Sequence, residues 1–271
     1  MPSPVCVGCR LTFSLTASGM NECLIIDLGL IRYAEAWELQ KRVVAARKIG
    51  AIKDVLLFCE HPHVITLGRS GKRTNLLATE NVLRQKGVEY FETSRGGDIT
   101  YHGPGQIVGY PILNLCAIKR DVVWYVRMLE EAMIRATAEF DIVAKREAGK
   151  TGIWVKVQDR TSAQSAQRRA EAPEKLAAIG VHISRWVTSH GFAYNAATDL
   201  RYFDLIVPCG IAERKATSLE KLLGRRVGLE EAKPGLAKQL GEVLGLEMRM
   251  AGRAELLEQL EESERRAAVP A

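Results

Sequence analysis

Residues 95–106 read Arg-Gly-Gly-Asp-Ile-Thr-Tyr-His-Gly-Pro-Gly-Gln. A short β candidate, Ile99–His102, sits between two turn signals, Gly96-Gly97 and Gly103-Pro104-Gly105. Working outward, residues 88–93 and 107–115 are further β candidates. Toward the N-terminus, residues 22–28 predict a strand and Tyr33–Lys48 an amphipathic helix that offers Trp37, Leu39, Val43 and Val44 to a core. Asp54–Glu60 and Val64–Leu67 are apolar runs separated by His61-Pro62-His63; Pro62 lacks a ladder donor and favours a turn, so two adjacent strands are predicted. Toward the C-terminus, residues 121–140 predict a long helix capped by Asp121, with Val122, Leu129, Met133 and Ile134 on its apolar side. Short strands follow at 152–157, 176–184 and 191–193, then helices at 218–223 and at Leu229–Leu244, the latter interrupted by Pro234, and a charged helix or tail over 254–266. The pattern is that of an α/β (α+β) protein, a mixed sheet covered by a few helices.

The 271 residues, 47% hydrophobic and 26% charged, suffice for one sizeable core. No stretch reaches the roughly 18 apolar residues of a membrane helix, and the first 20 residues carry a single basic residue, Arg10, without the apolar run of a secretory signal. No membrane partner and a cytoplasmic location are therefore expected. The cysteines, at positions 6, 9, 23, 59, 116 and 209, are scattered and read as reduced thiols. Cys6 and Cys9 form a CxxC without a second pair or nearby histidines to complete a tetrahedral site, so residues 1–19 read as an unstructured leader and no metal is expected. Met20 opens MNECLIIDLG, a natural first strand and an alternative start. A net charge of +6 admits an acidic partner. Nucleic acid is not expected, because no basic stripe is interleaved with aromatics. Residues 158–174, rich in Gln, Ser, Ala and Arg without hydrophobic period, predict a flexible insertion between two strands.

Three segments can carry chemistry. In 95–106 the paired glycines let backbone approach a ligand while Arg95 and His102 bring polar groups alongside; a plain hairpin reads equally well. Residues 175–195 place small residues Ala178, Gly180, Gly191 and Ala193 among bulky strand residues, which either leaves room for a chain-like ligand or serves a tight hairpin with Lys175 as a surface charge. In Pro208-Cys209-Gly210-Ile211 the thiol is either an inert buried cysteine or a nucleophile that needs a neighbouring cation. Sequence spacing does not place Lys175 beside it.

Taken in order, RGGDITYHGPGQ, the lysine hairpin KLAAIGVHISRWVTSHG and PCGI resemble the octanoyltransferase family, also called lipoate-protein ligase B, of the biotin and lipoate ligase superfamily. The resemblance runs from about residue 20 to 245 and implies a single mixed-sheet catalytic domain over 20–245, with 246–271 left as a charged tail or helix. It implies transfer of an octanoyl group from octanoyl-acyl carrier protein to the lipoyl-domain lysine of 2-oxoacid dehydrogenases and the glycine-cleavage H protein, with no metal, nucleotide or other cofactor. Carried over residue by residue, Cys209 matches the acyl-thioester nucleophile and Lys175 the lysine that lowers its pKa. Arg95, Gly96, Gly97, Asp98, Ile99, Thr100, Tyr101 and His102, then Ala178, Ile179 and Gly180, then Gly191, Phe192 and Ala193, match the substrate-contacting segments. His102 is a candidate to orient the thioester carbonyl. A monomer is expected, since the enzyme must dock two protein substrates in turn. The alternatives are an ATP-dependent lipoate or biotin ligase on the same fold, disfavoured by YHGPGQ in place of that branch's motifs, and a non-catalytic acyl-carrier-binding module, disfavoured by the presence of both Cys209 and Lys175.

Overall fold

A computed structural model of the chain describes residues 21–156, 172–207 and 215–268. The expected leader, the CxxC, most of the expected insertion and Cys209 itself lie outside these residues. The chain opens β1 (Asn21–Leu30), α1 (Tyr33–Lys48), β2 (Asp54–Glu60), a unit whose two strands pair in parallel because the helix carries the chain back over the sheet. β3 (Val64–Leu67), α2 (Glu80–Gln85), β4 (Glu89–Glu92), β5 (Ile99–His102) and β6 (Gln106–Ile112) follow, then α3 (Val122–Ala138), β7 (Ala144–Glu147) and β8 (Lys150–Val155). β9 (Glu174–Ser184) and β10 (Val187–Asn195) form a hairpin; α4 (Leu219–Leu223), α5 (Leu229–Leu244), β11 (Leu246–Met250) and α6 (Arg253–Ala268) close the chain.

Eight strands make one sheet in the order β11-β1-β2-β6-β10-β9-β8-β7, and β4-β3-β5 make a second. On one face of the large sheet, α3 and α5 bury Leu129, Met133, Leu236 and Leu240 against Phe58, Ile107, Phe192 and Tyr194. On the other face α1 and α6 bury Leu39, Val43, Leu256 and Leu260 against Leu24, Ile26 and Leu57. The small sheet has its own core, with Ile65, Tyr101 and Leu83.

The mixed α/β class stands, and several elements differ in detail from expectation. The runs Asp54–Glu60 and Val64–Leu67 are both strands but not neighbours: β2 pairs β1 and β6, whereas β3 pairs β4 and β5. The chain leaves the large sheet at Pro62 because Ile65 and Leu67 belong to the second core. β7 has no counterpart in the sequence reading, since Lys145, Arg146 and Glu147 show no apolar period; charge of this kind suits the sheet edge that the strand forms. α5 runs unbroken through Pro234, which lies in its second turn and removes a single backbone donor. Val122, expected on the apolar side of α3, is exposed, and the buried stripe is Tyr125, Leu129, Ala132, Met133 and Ala136. Asp121 caps the helix as expected, accepting from Trp124 N at 2.9 Å.

Glu174, placed in the expected insertion, is the first residue of β9. Residues beyond 245, expected as a tail or helix, supply both β11, paired in parallel with β1 from Asn21↔Leu246 to Ile25↔Met250, and α6, whose Leu256 and Leu260 are fully buried. The fold therefore continues past residue 245.

Candidate active site

The small sheet and residues 95–98 lie over the β9–β10 hairpin and leave a cavity of about 610 Å³. In the hairpin ladder Ala178 faces Ala193 and Gly180 faces Gly191, so four small residues form a patch where the loop from β4 to β5 makes its approach. Gly96 N donates to Val181 O at 2.8 Å, and a Cβ on Gly180 would stand 2.8 Å from Gly96 O. Gly180 thus allows a backbone-to-backbone contact that any side chain would push apart. Gly191 answers a different constraint, since a Cβ there would meet Gly109 O at 2.1 Å across the ladder. Gly109 in turn leaves space for the Phe192 ring.

The glycine loop is held by Arg95, which is buried. Its Nε donates to Thr66 Oγ1 at 3.1 Å, its Nη2 to Thr66 O at 2.6 Å and Oγ1 at 2.9 Å, and its Nη1 to Gly96 O at 3.1 Å. The guanidinium fork fastens the loop to β3 and also lines the cavity. Asp98 accepts from Ile99 N at 2.7 Å and from Asn75 Nδ2 at 2.6 Å, which anchors the loop end. Gly97 adopts φ +84°, a left-handed conformation that glycine takes without strain. Ile99 and Thr100 also line the cavity, whereas Tyr101 turns into the second core and hydrogen-bonds His63 Nδ1 at 2.7 Å.

His102 is buried, and its tautomer follows from its partners. Thr217 O is an acceptor, so Asn195 turns Nδ2 toward it (3.0 Å) and presents Oδ1 to Gln106 Nε2 (2.9 Å). Gln106 then presents Oε1 to His102 Nδ1 at 2.7 Å, which must carry the proton. Nε2 is left as an acceptor, 3.5 Å from Thr66 Oγ1. Burial, reinforced by His61 and Arg95 nearby, pushes the imidazole down to about 3, so His102 is neutral near pH 7. An Nε2 lone pair suits a donor on a ligand, such as an amide N–H, better than a carbonyl oxygen. His190 also lines the cavity; burial, with Arg95 second, lowers it to about 4.

At the other side of the site stands Lys175, half-buried near the start of β9. Its N donates to Lys215 O and its O accepts from Thr217 N, each at 3.0 Å, so residues 215–217 run beside it. Its Nζ lies 4.8 Å from the centroid of the Trp154 ring. Cys209 is outside the described residues, but both flanks of its segment reach the site. Val207 N donates to Asn75 O at 2.7 Å, Asn75 in turn holds Asp98, and Lys215 and Ala216 line the cavity beside Lys175. A second hollow, about 770 Å³, lies on the opposite face between α5 and the β11–β1 edge; among the described residues its lining has no histidine, cysteine or hydroxyl side chain.

A model of the lipoyl protein ligase A/B catalytic domain matches residues 32–241. The octanoyltransferase of Solibacter usitatus is 50% identical over 212 residues, covering 78% of this chain and 88% of its own, and that of Acidobacterium capsulatum is 51% identical over 203 residues, covering 72% and 78%. The chain belongs to this family. A bipartite lipoate protein ligase from Thermoplasma acidophilum superposes with a TM-score of 0.68 at 15% identity over 92% of each chain, a likeness of fold alone.

Within this lipoyl ligase A/B domain two of the three sequence segments converge: Arg95 to Thr100, His102, Lys175, Ala178 to Gly180 and Gly191 to Ala193 surround one cavity, while residues 208–211 lie outside the described residues. The sequence reading missed Trp154, and it gave no role to His190, Asn195 or Gln106, which lie within the quoted segments. For Gln106 and Asn195 a signal existed, since both are amides within otherwise apolar strands and, once buried, each needs partners. Among the described residues no helix is long and apolar enough to cross a membrane.

Proposed function

We infer that the chain is an octanoyltransferase of protein lipoylation that draws its acyl group from an acyl-carrier thioester, holds it on Cys209 and passes it to the lysine of a lipoyl domain. The observation that carries this reading is the cavity of about 610 Å³ that joins the patch of small residues to Lys175 and to Lys215 and Ala216, which follow the cysteine segment. In the first half-reaction the Cys209 thiolate attacks the donor carbonyl, the new thioester forms as the old carbon–sulfur bond breaks, and the carrier sulfur leaves with a proton taken from the Lys175 ammonium or solvent. In the second, the acceptor lysine amine attacks that thioester and Cys209 leaves as thiolate, the amine proton passing to Lys175 or solvent. The first step exchanges one thioester for another and the second a thioester for a more stable amide, so no ATP is required. Lys175, as an ammonium, favours the thiolate. The donor is octanoyl-acyl carrier protein, the acceptors are lipoyl domains of 2-oxoacid dehydrogenases and the glycine-cleavage H protein, and the reaction belongs to the cytoplasm.

Intact-protein mass spectrometry tests it. Mixed with octanoyl-acyl carrier protein and no ATP, the enzyme should gain one octanoyl group that hydroxylamine removes and that an apo lipoyl domain accepts; Cys209→Ala should gain none. An adduct in the Ala variant, or transfer that needs free acid and ATP, overturns the mechanism.

A further inference from the structure

We propose that Trp154 is a positioning residue for Lys175, its indole face holding the ammonium where the reaction needs it. The inference rests on the role given to Lys175 above. Trp154 pairs with Lys175 across the β8–β9 ladder, is 5% exposed and lines the cavity, with Lys175 Nζ 4.8 Å from its ring centroid. A cation over an indole face within about 6 Å is attracted by the ring quadrupole, most strongly where water is displaced.

The strand is shaped for this contact. Gly152, two residues before Trp154, has φ +114°, and a Cβ there would meet Ala177 O at 2.4 Å and Lys175 Cε at 3.4 Å. The lysine stem therefore lies against bare backbone on its way to the ring. Glu130, buried on α3, accepts from Gly152 N at 3.0 Å and thereby fixes that backbone.

Two described carboxylates beside this strand pair have partners of their own. Glu130 is engaged by Arg127 and Arg146 as well as by Gly152, and Glu174 is paired with Lys221 Nζ at 2.7 Å. Lys150, whose Nζ lies 5.8 Å from the same ring centroid, and Lys215 are like charges that repel the ammonium. The indole face is an attraction that carries no charge of its own, so it can localise the ammonium without competing with a thiolate for it.

The test is the pH dependence of the single-turnover acylation of Cys209 by octanoyl-acyl carrier protein, measured for wild type, Trp154→Leu, Trp154→Phe and Lys175→Ala. In Trp154→Leu the acidic limb should move up by about one pH unit, lowering the rate at neutral pH about tenfold. Trp154→Phe, which keeps an aromatic face, should return the rate to within about threefold of wild type. Lys175→Ala sets the limit, with a limb close to the ordinary thiol value of about 8.5. A Trp154→Leu limb that coincides with wild type while Lys175→Ala is displaced overturns the role of Trp154 and leaves that of Lys175 standing. An undisplaced limb in Lys175→Ala removes the Lys175 reading, and the Trp154 inference with it. If the Leu variant loses its fold by circular dichroism, Trp154→Met, apolar and without a π face, is read in its place with the same expected shift.

Discussion

Lowering the pH from 7.5 to 5 should cost this protein a large part of its stability, through three buried histidines. His61 and His190 are held at about 4 and His102 at about 3, in each case chiefly by burial, against 6.5 for an open imidazole. Hydrogen bonds fix the neutral tautomers of two of them and offset burial only in part: His61 Nδ1 donates to Ile31 O and its Nε2 accepts from Tyr110 Oη, both at 2.7 Å, while His102 Nδ1 donates to Gln106 Oε1. A histidine whose folded pKa is depressed takes up its proton first in the unfolded chain, so stability is intact above 6.5 and falls as the pH drops toward 4. At pH 5 each group contributes about 2 kcal/mol of loss, about 6 kcal/mol together before coupling. The sum is an upper figure, because the His61 and His102 rings are 6.0 Å apart and titrate as a pair. Since small domains have about 5–15 kcal/mol in all, the folded state should be marginal at pH 5. Urea unfolding followed by circular dichroism at pH 7.5, 6.5, 5.5 and 5 measures this directly. The unfolding free energy should decrease with a slope approaching three protons below pH 6, about 4 kcal/mol per pH unit at most. A loss of less than about 2 kcal/mol between pH 7.5 and 5 would show that the imidazoles accept protons in the folded state, and the account of their burial would be wrong.

Two further outcomes are expected. Gly180→Val pushes the glycine loop off the hairpin and fills the cavity, so acylation by octanoyl-acyl carrier protein should fall more than about 100-fold, a loss near 3 kcal/mol of transition-state binding; a rate within threefold of wild type refutes the assigned acyl path. Ending the chain after Gly245 removes β11 and exposes the surface under Leu256 and Leu260, about 3–6 kcal/mol of apolar burial. That variant should show no cooperative thermal transition, and a melting temperature within about 5 °C of the full chain would mean that β11 and α6 are accessories.

Most strands and long helices are legible in the residues because their periods are local properties. Tyr33–Lys48, Ile99–His102 and Leu229–Leu244 follow from apolar spacing, caps and glycine punctuation within a few residues of chain. β7 and β11 are not legible, since an edge strand of charged or short composition is stabilised by the neighbour it joins and not by its own pattern. The assignment of Asp54–Glu60 and Val64–Leu67 to different sheets likewise depends on which core each run meets.

The same division holds at the site. The amino-acid sequence by itself determined the mixed α/β class, the order of the three chemical segments and, through their spelling, the family to which the chain belongs. The tertiary structure decided that Arg95 ties the loop to Thr66, that the proton of His102 sits on Nδ1, and that the lysine of β9 stands over the indole of β8. Apart from the His102–Gln106 bond, these rest on contacts between residues from 21 to 89 positions apart, set by sheet register and by the satisfaction of buried polar groups, and no local pattern encodes them.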